Sequence, residues 1–198
     1  MTKIVAITGG IGSGKSTFSN EVKKRGFKLL DSDEQVTALY KKPSNEFLKF
    51  IKKIKLSKAI TKNKINKKTI SDEIFSNKLL KKKLENYIFK IIRKKRTNFI
   101  ISQKKKKEKI IFLDIPLLFE NNLSKEFDIV ISIISTKKQR YKRLKISKNI
   151  SKVLFNKILN SQTSDIVRKK YSDIVLKNDS SMYKYLKKIN KTLDKIII

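Results

Sequence analysis

Residues Lys3 to Thr17 read KIVAITGGIGSGKST. The first six form a β-branched, apolar run bounded by two glycines, which predicts a buried strand over Lys3–Thr8. The next eight, Gly9-Gly10-Ile11-Gly12-Ser13-Gly14-Lys15-Ser16, fit the spacing G-x-x-x-x-G-K-[ST] between a strand and a helix, the context that this spacing requires. Glycines let successive N–H groups turn inward as an anion nest, and a helix starting near Lys15 aims its positive end at the same point. A plain glycine turn needs neither the lysine nor the serine at a fixed offset. The candidate triphosphate binders are therefore Gly10, Ile11, Gly12, Ser13, Gly14, Lys15, Ser16 and Thr17. Lys15 is placed to reach the β- and γ-phosphates, and the Ser16 hydroxyl to ligate Mg²⁺.

Further along, a helix is expected over Ser16–Arg25, with Phe18 and Val22 inward and Gly26 as its cap. Phe27–Asp31 (FKLLD) then reads as a second strand, and strand, loop, helix, strand implies a parallel sheet with a right-handed crossover. Lys109–Asp114, Asp128–Ile134 and Asp173–Lys177 are further short apolar runs of the kind found in strands covered on both faces. Between them the spacing is helical. Leu80, Leu84, Tyr87, Ile88, Ile91 and Ile92 share one face, and Lys104–Lys107 reads as a charged, solvated linker. Ser151 is a candidate N-cap for a helix carrying Leu154, Ile158 and Leu159, and Ser181–Leu193 an amphipathic helix with Tyr185, Leu186, Ile189 and Leu193 inward. These elements predict a three-layer α/β fold with five strands, no internal repeat, and a helical insertion from Ser44 to about Lys107.

At 198 residues the chain suits one compact domain with room for an insertion. It contains neither cysteine nor histidine, which excludes disulfides, Cys/His metal sites and a histidine base. No apolar run approaches membrane-spanning length and no signal peptide is read at the amino end, so a cytoplasmic location is expected. A formal net charge of +33 invites a nucleic-acid role. The excess is mostly lysine spread along the whole chain, however, without the clustered arginine and stacking aromatics of base recognition. No specific nucleic-acid partner and no membrane partner are expected, and a monomer or weak oligomer is.

Asp31-Ser32-Asp33 stands at the carboxyl end of the second strand, the edge of an open α/β sheet that faces the ligand crevice. One of these carboxylates could take the proton of an attacking hydroxyl, or both could simply open the next helix. Asp114 ends the third strand, where an acid can hold Mg²⁺ directly or through water, or merely close a turn. The apolar segment Pro116-Leu117-Leu118-Phe119-Glu120 either lines an acceptor pocket or belongs to the core.

With these residues in view, the chain resembles the dephospho-CoA kinase family nearly end to end. The resemblance rests on Thr8 to Thr17, Asp31-x-Asp33, Ile74-Phe75, Leu84-Glu85, Asp114-x-Pro116-Leu117-Leu118-Phe119-Glu120, Arg143-Leu144, Gln162, and Asp173-Ile174-Val175-x-x-Asn178. It implies a P-loop kinase core with a five-stranded parallel sheet, formed by residues 1–43, 109–136 and 166–198. It also implies a helical substrate insertion at 44–108 and a lid at 137–165. The activity implied is phosphorylation of the ribose 3′-hydroxyl of dephospho-CoA by ATP with Mg²⁺, giving coenzyme A. Asp33 takes the part of general base, with Lys15 and Arg143 stabilising the transferred group. Thr8, Asp31, Asp33, Pro116, Leu117 and Phe119 face the acceptor, and Ser16 with Asp114 serves the metal. Another small-molecule kinase, or a basic nucleic-acid module, is the alternative. Two places depart from the family pattern. Phe89-Lys90 stands where His-Pro is usual, and Ser147 where a second lid arginine is usual. Lys145 and Lys148 lie nearby but lack arginine's bidentate fork, so charge stabilisation is either weaker or supplied by Arg143, Lys157 and Arg168.

Overall fold

The computed structural model describes residues 1–75 and 77–197, and the chain divides into two compact units. The first comprises Met1–Asp31 and the chain from Ile100 to its described end. Its sheet is built from β1 (Lys3–Gly9), β2 (Lys28–Asp31), β5 (Ile110–Asp114), β6 (Ile129–Ile134) and β7 (Ile174–Lys177). The order is β2-β5-β1-β6-β7, and every adjacent pair is parallel. All five residues of β5 are buried, which is why it reads as an unbroken apolar run rather than an alternating one. On one face Val5, Ile7, Phe112, Ile131 and Ile133 pack with Phe18 and Val22 of α1 (Lys15–Lys24) and with Tyr185, Ile189, Leu193 and Ile196 of α9 (Met182–Ile197). The alternate residues Ala6, Ile111, Leu113 and Val130 are equally buried. On that side α8 (Asp165–Tyr171) packs on β6, and Ser172 donates to Ser132 at 2.7 Å.

The cap of α1 follows the expected form: Gly26 N–H donates to Lys23 O and Phe27 N–H to Val22 O. Between β6 and β7 run α6 (Lys137–Lys148), α7 (Lys152–Asn160) and α8. Ser151 caps α7 by accepting from Leu154 N–H at 3.2 Å. The residue that α7 buries is Phe155, which joins Leu144 and Ile150, whereas Leu154 is exposed.

The second unit, Ser32–Phe99, starts earlier and ends earlier than the 44–108 insertion that the sequence suggests. Its own core explains the early start. Leu39 of α2 (Ser32–Lys41) is buried with Phe47, Leu48 and Ile51 of α3 (Asn45–Lys53). The same core takes in Ile70 of α4 (Lys67–Phe75) and Leu84 of α5 (Lys78–Lys105), with Leu80, Tyr87, Ile88 and Ile91 packed against it. Phe50 stacks on Tyr87 with ring centroids 3.7 Å apart. A hairpin of β3 (Ile60–Thr61) and β4 (Lys64–Ile65), unforeseen in the sequence, turns through Lys62 and Asn63, both at positive φ. The lysine run 104–107 is not wholly a linker. Lys104 and Lys105 finish α5, and the chain turns only at Lys106 and Lys107.

Candidate active site

The site grows from the carboxyl end of β1. Gly14 precedes α1 at φ +97°, a conformation that disfavours any side chain, and Lys15 opens the helix. Within the loop Ser13 N–H donates to Gly10 O at 3.1 Å. The carbonyls that follow are held by distant side chains, and Gly14 O also accepts from Thr17 N–H at 3.1 Å in the first turn of α1. Ile11 O accepts from Arg140 Nε at 2.7 Å, Ser13 O from Asn178 Nδ2 at 2.8 Å, and Gly14 O from the Tyr185 hydroxyl at 3.1 Å. Arg143 adds contacts to Gly12 O at 3.3 Å and Ser13 O at 3.5 Å. Because a trans peptide sets C=O and N–H antiparallel, tying these carbonyls outward turns the N–H groups of Gly12, Gly14 and Lys15 the other way. With the amino end of α1 beside them, they form the concave donor set that an anionic tail of phosphates needs.

The Lys15 ammonium is ion-paired with Asp114 Oδ1, and Ser19 donates to Asp114 Oδ2 at 2.7 Å. Asp114 is fully buried. Burial raises its pKa, Lys15 and Ser19 oppose that rise, and Asp31, its register partner on β2, adds to it. Ser16 is exposed at the start of α1. Two strand ends thus bring two carboxylates, one ammonium and the loop amides to one edge of the sheet.

Thr8 is buried, and its hydroxyl donates to Pro116 O at 3.3 Å. In the segment after β5, Leu118 is core, Pro116 and Phe119 are half-buried and Leu117 is exposed. Asp33 lies in the first turn of α2, two residues past the end of β2, and so belongs to the second unit. Phe89 is half-buried and Lys90 exposed on α5. Ser147 bonds back to Arg143 O at 2.8 Å, and Lys145 reaches Asn149 Oδ1 at 3.0 Å. Arg143 spreads its guanidinium over the loop, Ser135 and Asn178. Arg168 is buried at 1% exposure against Thr163 O, Asp165 and Glu120, which makes it a structural cation here rather than a mobile one.

Sequence reading missed Arg140 and the hydroxyl of Tyr185 as loop holders. Arg140 is one helical turn before Arg143, so it shares that residue's face of α6. Tyr185 was expected inward, and an inward tyrosine hydroxyl generally has to find a partner.

A parallel sheet in this order, a glycine loop with its amides turned to one side, and a lysine facing a strand-end acid define a P-loop kinase. A sequence model of the dephospho-CoA kinase family matches residues 3–184, and the chain belongs to that family. A dephospho-CoA kinase of Fusobacterium nucleatum subsp. nucleatum is 34% identical over 197 residues, covering 98% of each chain. The solved dephospho-CoA kinase of Campylobacter jejuni is 29% identical with a TM-score of 0.74, covering 99% of this chain and 98% of its own. A shikimate kinase of Acinetobacter baumannii shares the fold at a TM-score of 0.52 and 12% identity, over 100% of this chain and 94% of its own.

Proposed function

We propose that this chain transfers the γ-phosphoryl group of ATP to the ribose 3′-hydroxyl of dephospho-CoA, giving coenzyme A and ADP. The observation that carries the reading is the set of loop carbonyls tied outward, which leaves Gly12, Gly14 and Lys15 N–H for phosphate oxygens. The loop from Gly10 to Thr17 binds the triphosphate, and Lys15 exchanges its contact with Asp114 for the β- and γ-oxygens. Asp33 takes the proton of the 3′-hydroxyl as its oxygen bonds to the γ-phosphorus and the bridging bond to ADP breaks. Arg143 balances charge on the transferred group. Residues 137–165 act as the lid, and Thr8, Asp31, Pro116, Leu117 and Phe119 border the acceptor.

Mg²⁺ suits the donors present. They are an exposed serine hydroxyl and an aspartate already engaged by Lys15 and Ser19, so Ser16 would bind directly and Asp114 through water. When bound, the ion supplies charge neutralisation across the β- and γ-phosphates. A cytoplasmic, monomeric or weakly associating enzyme completes the reading, and among the described residues no helix is long and apolar enough to cross a membrane.

The test is ADP release with dephospho-CoA, AMP, adenosine and shikimate as acceptors, repeated with Asp33→Asn. Turnover should be confined to dephospho-CoA and fall at least about a hundredfold in the variant, with ATP binding kept. Equal turnover on AMP would contradict the acceptor, and near-normal turnover of Asp33→Asn would remove Asp33 from its role.

A further inference from the structure

Ile11, in the middle of the phosphate loop, has both backbone polar groups taken by side chains from far along the chain. Its N–H donates to Gln162 Oε1 at 2.9 Å, and its carbonyl accepts from Arg140 Nε at 2.7 Å. Arg140 is only 5% exposed, a costly place for a guanidinium unless its position serves something. Burial pulls its pKa down, while Asp165, with Oδ2 3.6 Å from Nη1, supports the charge. Its Nη2 is buried without a hydrogen-bond partner. A side chain on Gly10 would place its Cβ 2.1 Å from that Nη2 and 2.7 Å from Cζ. The guanidinium therefore occupies the space that a residue-10 side chain would fill.

The far end of this clamp is itself anchored. Arg168 Nη1 lies 3.2 Å from Asp165 Oδ1 and also donates to Thr163 O, while Glu120 accepts from Thr163 N–H at 2.7 Å. The 162–165 turn is thereby fixed to the segment after β5, and Arg140 and Gln162 extend it to the loop.

We propose that Arg140 is a positioning residue of the phosphate loop: it holds the Ile11 carbonyl outward, in the space left by Gly10, so that Gly12 N–H stays aimed at nucleotide phosphate. The guanidinium lies across the Ile11–Gly12 peptide from that N–H, so it orients the donor without touching the phosphate. The inference rests on the loop being the ATP site.

The decisive measurement compares Arg140→Ala and Arg140→Lys with the parent enzyme for ATP KM, dephospho-CoA KM, kcat and ADP affinity by calorimetry. Loss of one charge-assisted bond predicts ATP KM and ADP Kd about tenfold higher in Arg140→Ala. On the same account kcat at saturating ATP falls less than about threefold, dephospho-CoA KM is unchanged, and Arg140→Lys recovers only part of the loss. Should Arg140→Ala not fold, Arg140→Lys is read in the same way, since it keeps the charge and most of the volume but lacks the Nε donor. Gly10→Ala should weaken ADP binding more in the parent than beside Arg140→Ala, because only the parent holds the clashing guanidinium. A melting temperature lowered with ATP KM unchanged, a loss confined to kcat, or an equal Gly10→Ala penalty in both backgrounds overturns the proposal. Lys15→Ala run alongside separates the two readings. If it too leaves ADP binding intact, the loop is not the nucleotide site and both fall. If it weakens binding while the Arg140 variants do not, only the role of Arg140 falls.

Discussion

Asp114 is fully buried with one oxygen on Lys15 and the other on Ser19, so each side chain is costly to remove singly. Its pKa is raised, and an acid raised in the folded state favours folding below its unfolded pKa and loses that contribution as pH rises through the folded value. Lys15 opposes the rise. Lys15→Ala should therefore lose at least about a hundredfold in kcat/KM, as expected for removal of the phosphate-gripping cation. The variant should also melt below the parent, by more at pH 7.5 than at pH 5, because the stranded carboxylate is easier to keep neutral in acid. Activity assays and paired melts check both, and unchanged kinetics would sink the role of Lys15. Lys15, Ser16 and Asp114 were all legible in the sequence, whereas Ser19 was not. The loop contacts of Arg140 and of the Tyr185 hydroxyl were not legible either, since a side chain 129 or 171 residues away in the chain leaves no local spacing that names its partner.

Among the elements, α6 shows how a strand end and a helix start are joined. Thr136 caps it through its own hydroxyl, and Asp179, just beyond β7, accepts from Thr136 N–H at 2.7 Å and Ser135 Oγ at 2.8 Å. Burial alone would raise the Asp179 pKa. The Thr136 N–H, the Ser135 hydroxyl and nearby Lys177 outweigh burial and hold it below the usual aspartate range. A depressed acid contributes stability above its unfolded pKa and loses it as pH falls through the folded value. Asp179→Asn should thus lower the melting temperature at pH 7 by a few degrees, of the order of 1 kcal/mol at this chain length. The gap should close as pH drops below about 4, the ordinary aspartate value. A gap that does not shrink as pH falls from 7 to 2.5 would show that charge at Asp179 is not what holds the junction. The strands and α1 were readable because each satisfies a local rule, a short apolar run or a loop with its cap. The β3–β4 hairpin escaped because its two-residue strands carry no alternation, and Lys62-Asn63 lacks the glycine that usually marks such a turn.

For the whole molecule the dominant electrostatic fact is a formal charge of +33 on 198 residues. Self-repulsion of that size opposes compaction, and salt screens it: the Debye length falls from roughly 20 Å near 0.02 M to roughly 4 Å near 0.5 M. Raising sodium chloride over that range should increase the melting temperature by at least about 3 °C, or roughly 1 kcal/mol for a chain this long. A flat or falling melting temperature would mean that lysine repulsion is already offset locally. What the amino-acid order settled was whatever is encoded within a few neighbours: the phosphate loop, its strand and helix, the apolar runs of the sheet and the motifs of the family. The fold alone chose the neighbours of those segments. It set β5 between β1 and β2, drew α2 into the core of the second unit, buried Phe155 in place of Leu154, and brought Arg140, Asn178 and Tyr185 around one loop. Burial and hydrogen-bond satisfaction are decided between residues distant in the chain, and a linear pattern carries no record of which distant pairs will meet.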